Sequence, residues 1–254
     1  RAHQEHIVPV VEAALHEAGV ERSALSAIAF TKGPGLIGAL LVGTCFARSM
    51  AQALGIPLLG VDHMQAHILA HFIRDGSPRS VPQFPFLNLT VSGGHTLLVL
   101  VRDHLDMEVL GTTVDDAAGE AFDKGAKVLG LPYPGGPLID RHAVGGEPRK
   151  YRLPMPQVTG ADLSFSGIKT AFNGVVQRGM SNDPGFVTRE LPHLCASLQQ
   201  SIVDVLLRKV QKIARGTGVK QIAMSGGVSA NTVLRDQFEA LALREGWQAH
   251  VPPL

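Results

Sequence analysis

The sequence predicts an α/β protein of two lobes. Three observations carry that prediction. Short apolar runs alternate with stretches of helical periodicity along the whole chain. Many of the 28 glycines cluster at the junctions between those stretches, as backbone-lined turns would require. The order of segments over residues 86–254 is β-β-β-α-(α)-β-α-β, and residues 4–61 read α-β-α-β, the later part of the same order. With 254 residues, 45% hydrophobic and 18% charged, the chain can bury a sizeable core, and disorder is excluded.

The first lobe is assigned to residues 1–82. Ile7, Val10, Val11, Ala14 and Leu15 have helical spacing within residues 4–17, and Gly19 supplies a stop. Residues 25–30 read as a strand, Lys32-Gly33-Pro34-Gly35 as a turn, and 36–54 as a helix whose small residues Gly38, Ala39, Gly43 and Ala47 permit close packing. Gly55 ends it, and the strand 56–61 completes a parallel βαβ unit. That sheet would have two strands and an open edge. The next helix, 62–74, carries His63 and His67, with His71 extending the stripe as a structural or solvent-facing residue. Residues at i and i+4 share a helical face, so two imidazoles can converge on one metal ion; two polar residues on a half-buried helix are the ordinary alternative.

Residues 75–85, rich in Pro, Ser and Gly, read as a linker, and the second lobe is assigned to 83–254. Strands are expected at 87–92, 95–102 and 107–113, with Gly93-Gly94 as the first hairpin turn. A helix over 115–129, a rigid Pro-Gly-Gly-Pro loop at 134–137 and a less regular insertion at 141–162 follow. Helices at 166–177 and 187–214, a strand at 220–225, a helix at 229–244 and a strand from 248 close the chain. This is the order of an RNase-H-like domain, and the first lobe is a copy without its opening three-strand meander.

Bulk charge argues little about partners. The net charge of +1 calls for local patches if RNA is bound, and Arg141, Arg149, Lys150 and Arg152 are such a patch or else a solvated surface. Cys45 and Cys195 have no metal spacing and read as small core residues of a reducing compartment. No run approaches the ~18 apolar residues of a membrane span, and no leader is visible, so a cytoplasmic protein without membrane contact is expected. The chain begins at Arg1 rather than Met, as a processed chain or a fragment would.

Three stretches carry chemistry. Ser92-Gly93-Gly94-His95-Thr96 could aim consecutive N–H groups at an oxyanion, or be an ordinary hairpin. Ser225-Gly226-Gly227-Val228-Ser229-Ala230-Asn231 is a strand, a glycine pair and a helix start, suited to a nucleotide with Asn231 as hydrogen-bond partner, or a tight βα turn. Asp116, Glu120 and Asp123 fall at i, i+4 and i+7 and would share a helix face, with Glu120–Lys124 and Asp123–Lys127 as ordinary ion pairs. Ala117, Ala118 and Gly119 make that helix start narrow, as close approach of a ligand would require. Residues 134–137 could wall a planar base or ribose.

Two glycine-rich turns separated by an acidic helix in this order resemble the actin/sugar-kinase/Hsp70 (ASKHA) nucleotide-binding superfamily. Six motifs resemble one family within it: His63-Met64-Gln65-Ala66-His67, 91–96, 115–124, 133–137, Ser164-Phe165-Ser166-Gly167-Ile168-Lys169-Thr170 and 225–231. That family is TsaD/Kae/Qri, the catalytic subunit of tRNA N6-threonylcarbamoyladenosine synthesis, once described as a glycoprotease. The resemblance runs from Arg1 to Pro253, and His-Met-x-x-His suits its bacterial-type branch.

The resemblance implies an actin-like two-lobe fold and a metal-dependent acyltransferase. Threonylcarbamoyl would pass from threonylcarbamoyl-AMP to N6 of the adenine 3′ of the tRNA anticodon. His63 and His67 match metal ligands, and the third ligand, an aspartate, would lie beyond Leu254. The implied cofactor is one divalent ion, Fe2+ ahead of Zn2+ or Mg2+. Thr90, Val91, Ser92, Gly93, Gly94, Asp123, Gly136 and Asn231 match adenylate-binding positions, with Asp140 near the ribose. The implied partners are tRNA, a degenerate TsaB-like paralogue and a TsaE-like P-loop ATPase. The metal would act as Lewis acid and template, and the Gly93 and Gly94 amides would stabilise phosphate charge. Asp116, Glu120 and His95 are candidates for the general base. The family's opening Gly-Ile-Glu strand turn has no counterpart here, so the chain reads as truncated at both ends and inactive by itself, two histidines being short of the usual ligand count.

Three other readings compete. A zinc metalloprotease needs a glutamate beside the first histidine, where this chain has Met64. A degenerate scaffold paralogue would lack the histidine pair. A sugar or acetate kinase would not need one.

Overall fold

The computed structural model describes residues 2–74, 76 and 80–252. Residues 75 and 77–79 of the expected 75–85 linker, and both ends of the family resemblance, lie outside the described residues. Two compact units are formed, Arg1–His67 and Ile68–Leu254.

In the first unit, α1 (Ala2–Ala18) and a 3₁₀ turn (Arg22–Ala24) precede β1 (Ile28–Gly33), α2 (Ile37–Leu54) and β2 (Leu58–Asp62). β1 and β2 pair in parallel, Ile28 opposite Leu58 through Thr31 opposite Val61, and α2 is the crossover between them. β1 starts three residues later than expected and takes in Lys32 and Gly33. The sheet has two strands, as the segment order implied. Leu36, Ile37, Leu41 and Leu59 are exposed. So is Cys45, which corrects the expectation that it is a core residue. A second correction concerns α2: at eighteen residues and mean hydropathy 1.3, it is long and apolar enough to cross a membrane, by length and composition alone. Gly38, Gly43 and Thr44 interrupt the apolar run without lowering the mean below that level.

The helix after β2 also differs from expectation. α3 (His63–Leu69) gives way to a 3₁₀ turn at Ala70–Phe72 rather than continuing to residue 74. Ile68 and Phe72 pack with Phe84 and Phe86, so the second unit begins at Ile68, ahead of the 82/83 division read from composition.

The second unit is built on a five-stranded sheet in the order β5-β4-β3-β6-β7. The strands are β3 (Phe86–Val91), β4 (Thr96–Val101), β5 (Met107–Thr112), β6 (Gln221–Ser225) and β7 (Gln248–His250). β3, β4 and β5 form an antiparallel meander, and β6 and β7 add in parallel on the other side of β3. This is the RNase-H-like arrangement. Every residue of β3 is buried, as its near-continuous apolar run predicts for a central strand. Leu87, Leu89 and Val91 face the main core, which α7 (Phe186–Thr217) fills with a stripe that includes Leu194, Leu198 and Ile202. α4 (Ala118–Val128), α5 (Gly135–His142), α6 (Ser166–Asn182) and α8 (Thr232–Glu245) complete the unit.

Residues 143–162 hold no helix or strand, so the expected insertion is irregular apart from the end of α5. Side chains tie it down. The Glu190 carboxylate on α7 accepts hydrogen bonds from Lys150 Nζ at 2.6 Å and the Tyr151 hydroxyl at 2.8 Å. Lys150 first, and Tyr151 second, hold Glu190 down to about 2. Burial, then the Glu190 bond, pushes the Tyr151 hydroxyl up to about 12. A carboxylate depressed in the folded state contributes stability above its ordinary value of 4.5 and loses it as pH falls towards 2. Melting temperatures should therefore fall more steeply for the wild type than for Glu190→Gln between pH 4.5 and 2, the curves meeting at the acid end. Parallel curves would show that this tie does not hold the insertion.

Candidate functional site

Beyond the carboxyl ends of β3 and β6, where open α/β sheets commonly place ligands, the second unit encloses a cavity of 290 Å³. Its walls come from the 92–95 turn, the first two turns of α4, the loop entering α5, and residues 227–231. Two close backbone approaches hold those walls. A Cβ on Gly119 would stand 2.5 Å from the Ser92 carbonyl oxygen and 2.7 Å from Gly93 Cα. The small residues opening α4 therefore admit the protein's own turn, and Gly119 also lines the cavity. A Cβ on Gly226, whose φ is +90°, would stand 2.3 Å from the Val91 carbonyl oxygen.

The hairpin turn closes on itself. Ser92 N–H donates to His95 O at 2.8 Å, and His95 N–H donates to Ser92 Oγ at 3.0 Å. The N–H groups of Gly93 and Gly94 take no part, and Gly93 lines the cavity. Neither glycine has positive φ, so the alternating left- and right-handed pair of an anion nest is not formed there.

Carboxylates stitch the other walls together. Asp123 Oδ1 on α4 accepts from Gly135 N–H at 2.7 Å and Gly136 N–H at 3.3 Å, capping α5 where its dipole favours negative charge. Its Oδ2 accepts no bond from the described residues. Asp140 on α5 accepts from Thr232 N–H at 3.1 Å, Thr232 Oγ at 2.8 Å and Gln199 Nε2, so it caps α8 in turn. Asn231 is the N-cap of α8, its Oδ1 accepting from Leu234 N–H at 2.9 Å, which leaves its NH2 as the available donor. Phe122, Tyr133, Pro134, Pro137 and Val228 supply the apolar walls. Such a cavity can stack a planar ring, accept hydroxyl hydrogens at Asp123 and Asp140, and donate from Asn231 and Gly93.

Of the expected adenylate positions, Gly93, Asp123, Gly136, Asn231 and Asp140 meet at this cavity, while Thr90, Val91, Ser92 and Gly94 do not line it. Thr90 is fully buried in β3, where Asn88 Nδ2 donates to its hydroxyl at 2.9 Å and to Ser225 Oγ at 3.0 Å. His95, Asp116 and Glu120 also lie off the lining. The expected three-carboxylate face is not formed. α4 begins at Ala118, after Asp116, because Asp115 is drawn to the start of α6, accepting from Phe165 N–H at 2.8 Å and Ser164 Oγ at 2.5 Å. Lys124 Nζ bridges Asp116 at 2.6 Å and Glu120 at 2.8 Å. Burial alone would raise Asp116, but the Lys124 hydrogen bond and the charges of Lys124 and Lys169 outweigh it and leave Asp116 below the usual carboxylate range. That makes it a weak base. Of the insertion's basic residues, Arg149 pairs with Asp204 and Lys150 with Glu190.

Sequence reasoning missed α5, Phe122, Val228 and the capping role of Asn231. The last had a signal: Asn immediately before a helical run is a preferred N-cap.

In the first unit, the rings of His63 and His67 are 4.5 Å apart, centre to centre, and tilted by 60°. Asp62 caps α3, its Oδ1 accepting from Met64 N–H at 2.9 Å and Gln65 N–H at 3.1 Å. Among the described residues, no group of three or more His, Cys, Asp or Glu side chains could hold a metal ion. The two imidazoles fit half of a metal site. His71, expected to be structural or exposed, is buried, with Nε2 3.0 Å from the Met224 carbonyl oxygen.

A five-stranded RNase-H-like unit with a cavity at its strand ends, together with a smaller α-β-α-β unit, defines an ASKHA-type α/β protein. Full-length HypF in its phosphate- and nucleotide-bound form shares the fold, with TM-score 0.66 and 12% identity over 95% of this chain and 45% of HypF. HypF of T. kodakarensis gives 0.65 and 16% over 94% of this chain and 40% of its own. The model of the family TsaD, described as tRNA N6-adenosine threonylcarbamoyltransferase, matches residues 1–254. Proteins of that description from Christiangramia forsetii and Cytophaga hutchinsonii are each 53% identical over 252 residues. Those residues are 99% of this chain, and 74% and 72% of the relatives. The Porphyromonas gingivalis relative is 51% identical over 253 residues. The chain belongs to the TsaD family.

Proposed function

We propose that this protein transfers threonylcarbamoyl from threonylcarbamoyl-AMP to N6 of the adenine 3′ of the tRNA anticodon. Family membership over the whole chain supports the reaction. The convergence of Gly93, Asp123, Gly136, Asn231 and Asp140 on one nucleoside-sized cavity is the observation that carries the substrate reading. In the transfer, N6 of adenine bonds to the carbamoyl carbon, the bond from that carbon to the phosphate oxygen breaks, and N6 releases a proton. AMP is the leaving group. The apolar walls would stack its adenine, Asp123 Oδ2 would accept a ribose hydroxyl, and the Gly93 N–H would meet the phosphate. Titration of the protein with AMP tests this: saturable binding is expected, and its absence would remove the cavity from the reaction.

His63 and His67 would hold the divalent ion, with Fe2+ ahead of Zn2+ and Mg2+, as the family resemblance implies. When bound, it would supply Lewis-acid and orienting chemistry for the acyl group. After chelator treatment, the wild type should bind Zn2+ in a calorimetric titration. His67→Ala should weaken binding by about 100-fold or more, since even outer-sphere partners of a metal cost ~10–100-fold. Unchanged affinity would dismiss the pair as ligands. A cytoplasmic location, a TsaB-like paralogue and a TsaE-like P-loop ATPase as partners belong to the same proposal, resting on a tRNA substrate and the family resemblance.

A further inference from the structure

We infer that Gln199 is a positioning residue for the nucleotide cavity, acting through Asp140. The inference rests on the reading of that cavity as the adenylate site.

Gln199 lies on α7, 1% exposed, and does not line the cavity. Its buried neighbours Cys195, Leu198 and Ile202 belong to the apolar core. Its Nε2 donates to Asp140 Oδ1, while its Oε1 is buried and accepts no hydrogen bond among the described residues. A buried polar atom without a partner costs stability, so an apolar side chain of the same shape would serve the core at least as well. What the amide supplies is its single bond to Asp140.

That bond has a geometric consequence. Both other donors to Asp140 belong to Thr232, at the first turn of α8. Thr232 engages both carboxylate oxygens, its N–H at Oδ2 and its hydroxyl at Oδ1, so these two bonds tie Asp140 to α8 alone. Gln199 approaches Oδ1 from α7, a different element, and anchors the carboxylate to the core helix as well. The lone pair that remains at the cavity is thereby aimed, as positioning partners aim the ligands of a binding site. The same contact leaves Asp140 bound to both α7 and α8, so the aim is set by two helices packed in the core.

The test is a double-mutant cycle read by AMP titration, with melting temperature measured alongside. Gln199→Met should keep or raise the melting temperature and weaken AMP binding about fivefold to tenfold. In an Asp140→Ala background, the same substitution should have no further effect. Asp140→Leu, close in size and unable to accept a hydrogen bond, serves the same arm where Asp140→Ala does not fold. In the transfer assay, Gln199→Met should raise KM for the adenylate with kcat unchanged, a split that loss of packing alone would not produce. If Gln199→Met binds AMP as the wild type does, or weakens it equally in both backgrounds, the inference is overturned while the cavity reading stands. If the wild type binds no AMP, the cavity reading itself fails.

Discussion

Replacing Asp123 by Ala should weaken AMP binding by about 100-fold and lower the melting temperature together, because one carboxylate does two jobs. Its Oδ1 receives the first two N–H groups of α5, and loss of such a cap costs ~0.5–2 kcal/mol. Its Oδ2 is the acceptor proposed for a ribose hydroxyl, and hydrogen bonds to charged groups contribute ~1.5–3 kcal/mol, roughly 10- to 100-fold in affinity. Displacement of α5 would also move Tyr133, Pro134 and Gly136 on the facing wall, which places the combined loss at the upper end. Asp123→Asn separates the two jobs. Its amide oxygen can still cap α5, so stability should change little, while the lost charge and the second acceptor should cost about tenfold in affinity. Calorimetric titration and thermal melting of both variants decide it. An Asn variant that binds AMP as tightly as the wild type would show that α5, not the ligand, is the carboxylate's only customer.

How much of this was legible in the sequence depends on how local the cause was. β3 was readable because a fully buried central strand leaves a near-continuous apolar run, and α7 because its stripe repeats over 32 residues. The meander and the two-stranded sheet of the first unit followed from segment order alone. What failed had distant causes. Sequence pattern starts α4 at Asp115, but Asp115 is taken by the N-terminus of α6, fifty residues along the chain, and the helix begins only at Ala118. Gly119 also meets the Ser92 carbonyl oxygen, a neighbour from another element that the helix's own sequence does not name. α5 was hidden because Pro-Gly-Gly-Pro reads as a loop; its helix is started by Asp123, from another element, donating nothing in sequence to reveal itself. Thr90 shares a strand face with Asn88, and period-two alternation buries its hydroxyl there, off the cavity lining.

Gly226→Ala should be severely damaging, because one methyl meets both a strained backbone and a fixed neighbour. At φ +90° and ψ 163° the backbone occupies a region that only glycine populates readily, which costs ~1–3 kcal/mol for any other residue. The added Cβ would also meet the Val91 carbonyl oxygen at 2.3 Å and its carbon at 2.8 Å, and neither is the far end of a flexible side chain. Relief requires β3 and β6 to part where Thr90 pairs with Ser225, a register that the Asn88 bonds to both hydroxyls reinforce. A loss of about 4 kcal/mol or more follows, beyond the range of ordinary substitutions. For a unit of this size that is a fall in melting temperature of roughly 8–16 °C. Gly227→Ala is the internal control: its Cβ would find nothing within 4 Å and its φ is not positive, so it should melt within about 2 °C of the wild type. The contrast between two adjacent glycines is what identifies the cause. If both variants melt alike, the 226–231 turn is not pinned to the end of β3, and the cavity wall that carries Asn231 loses its support.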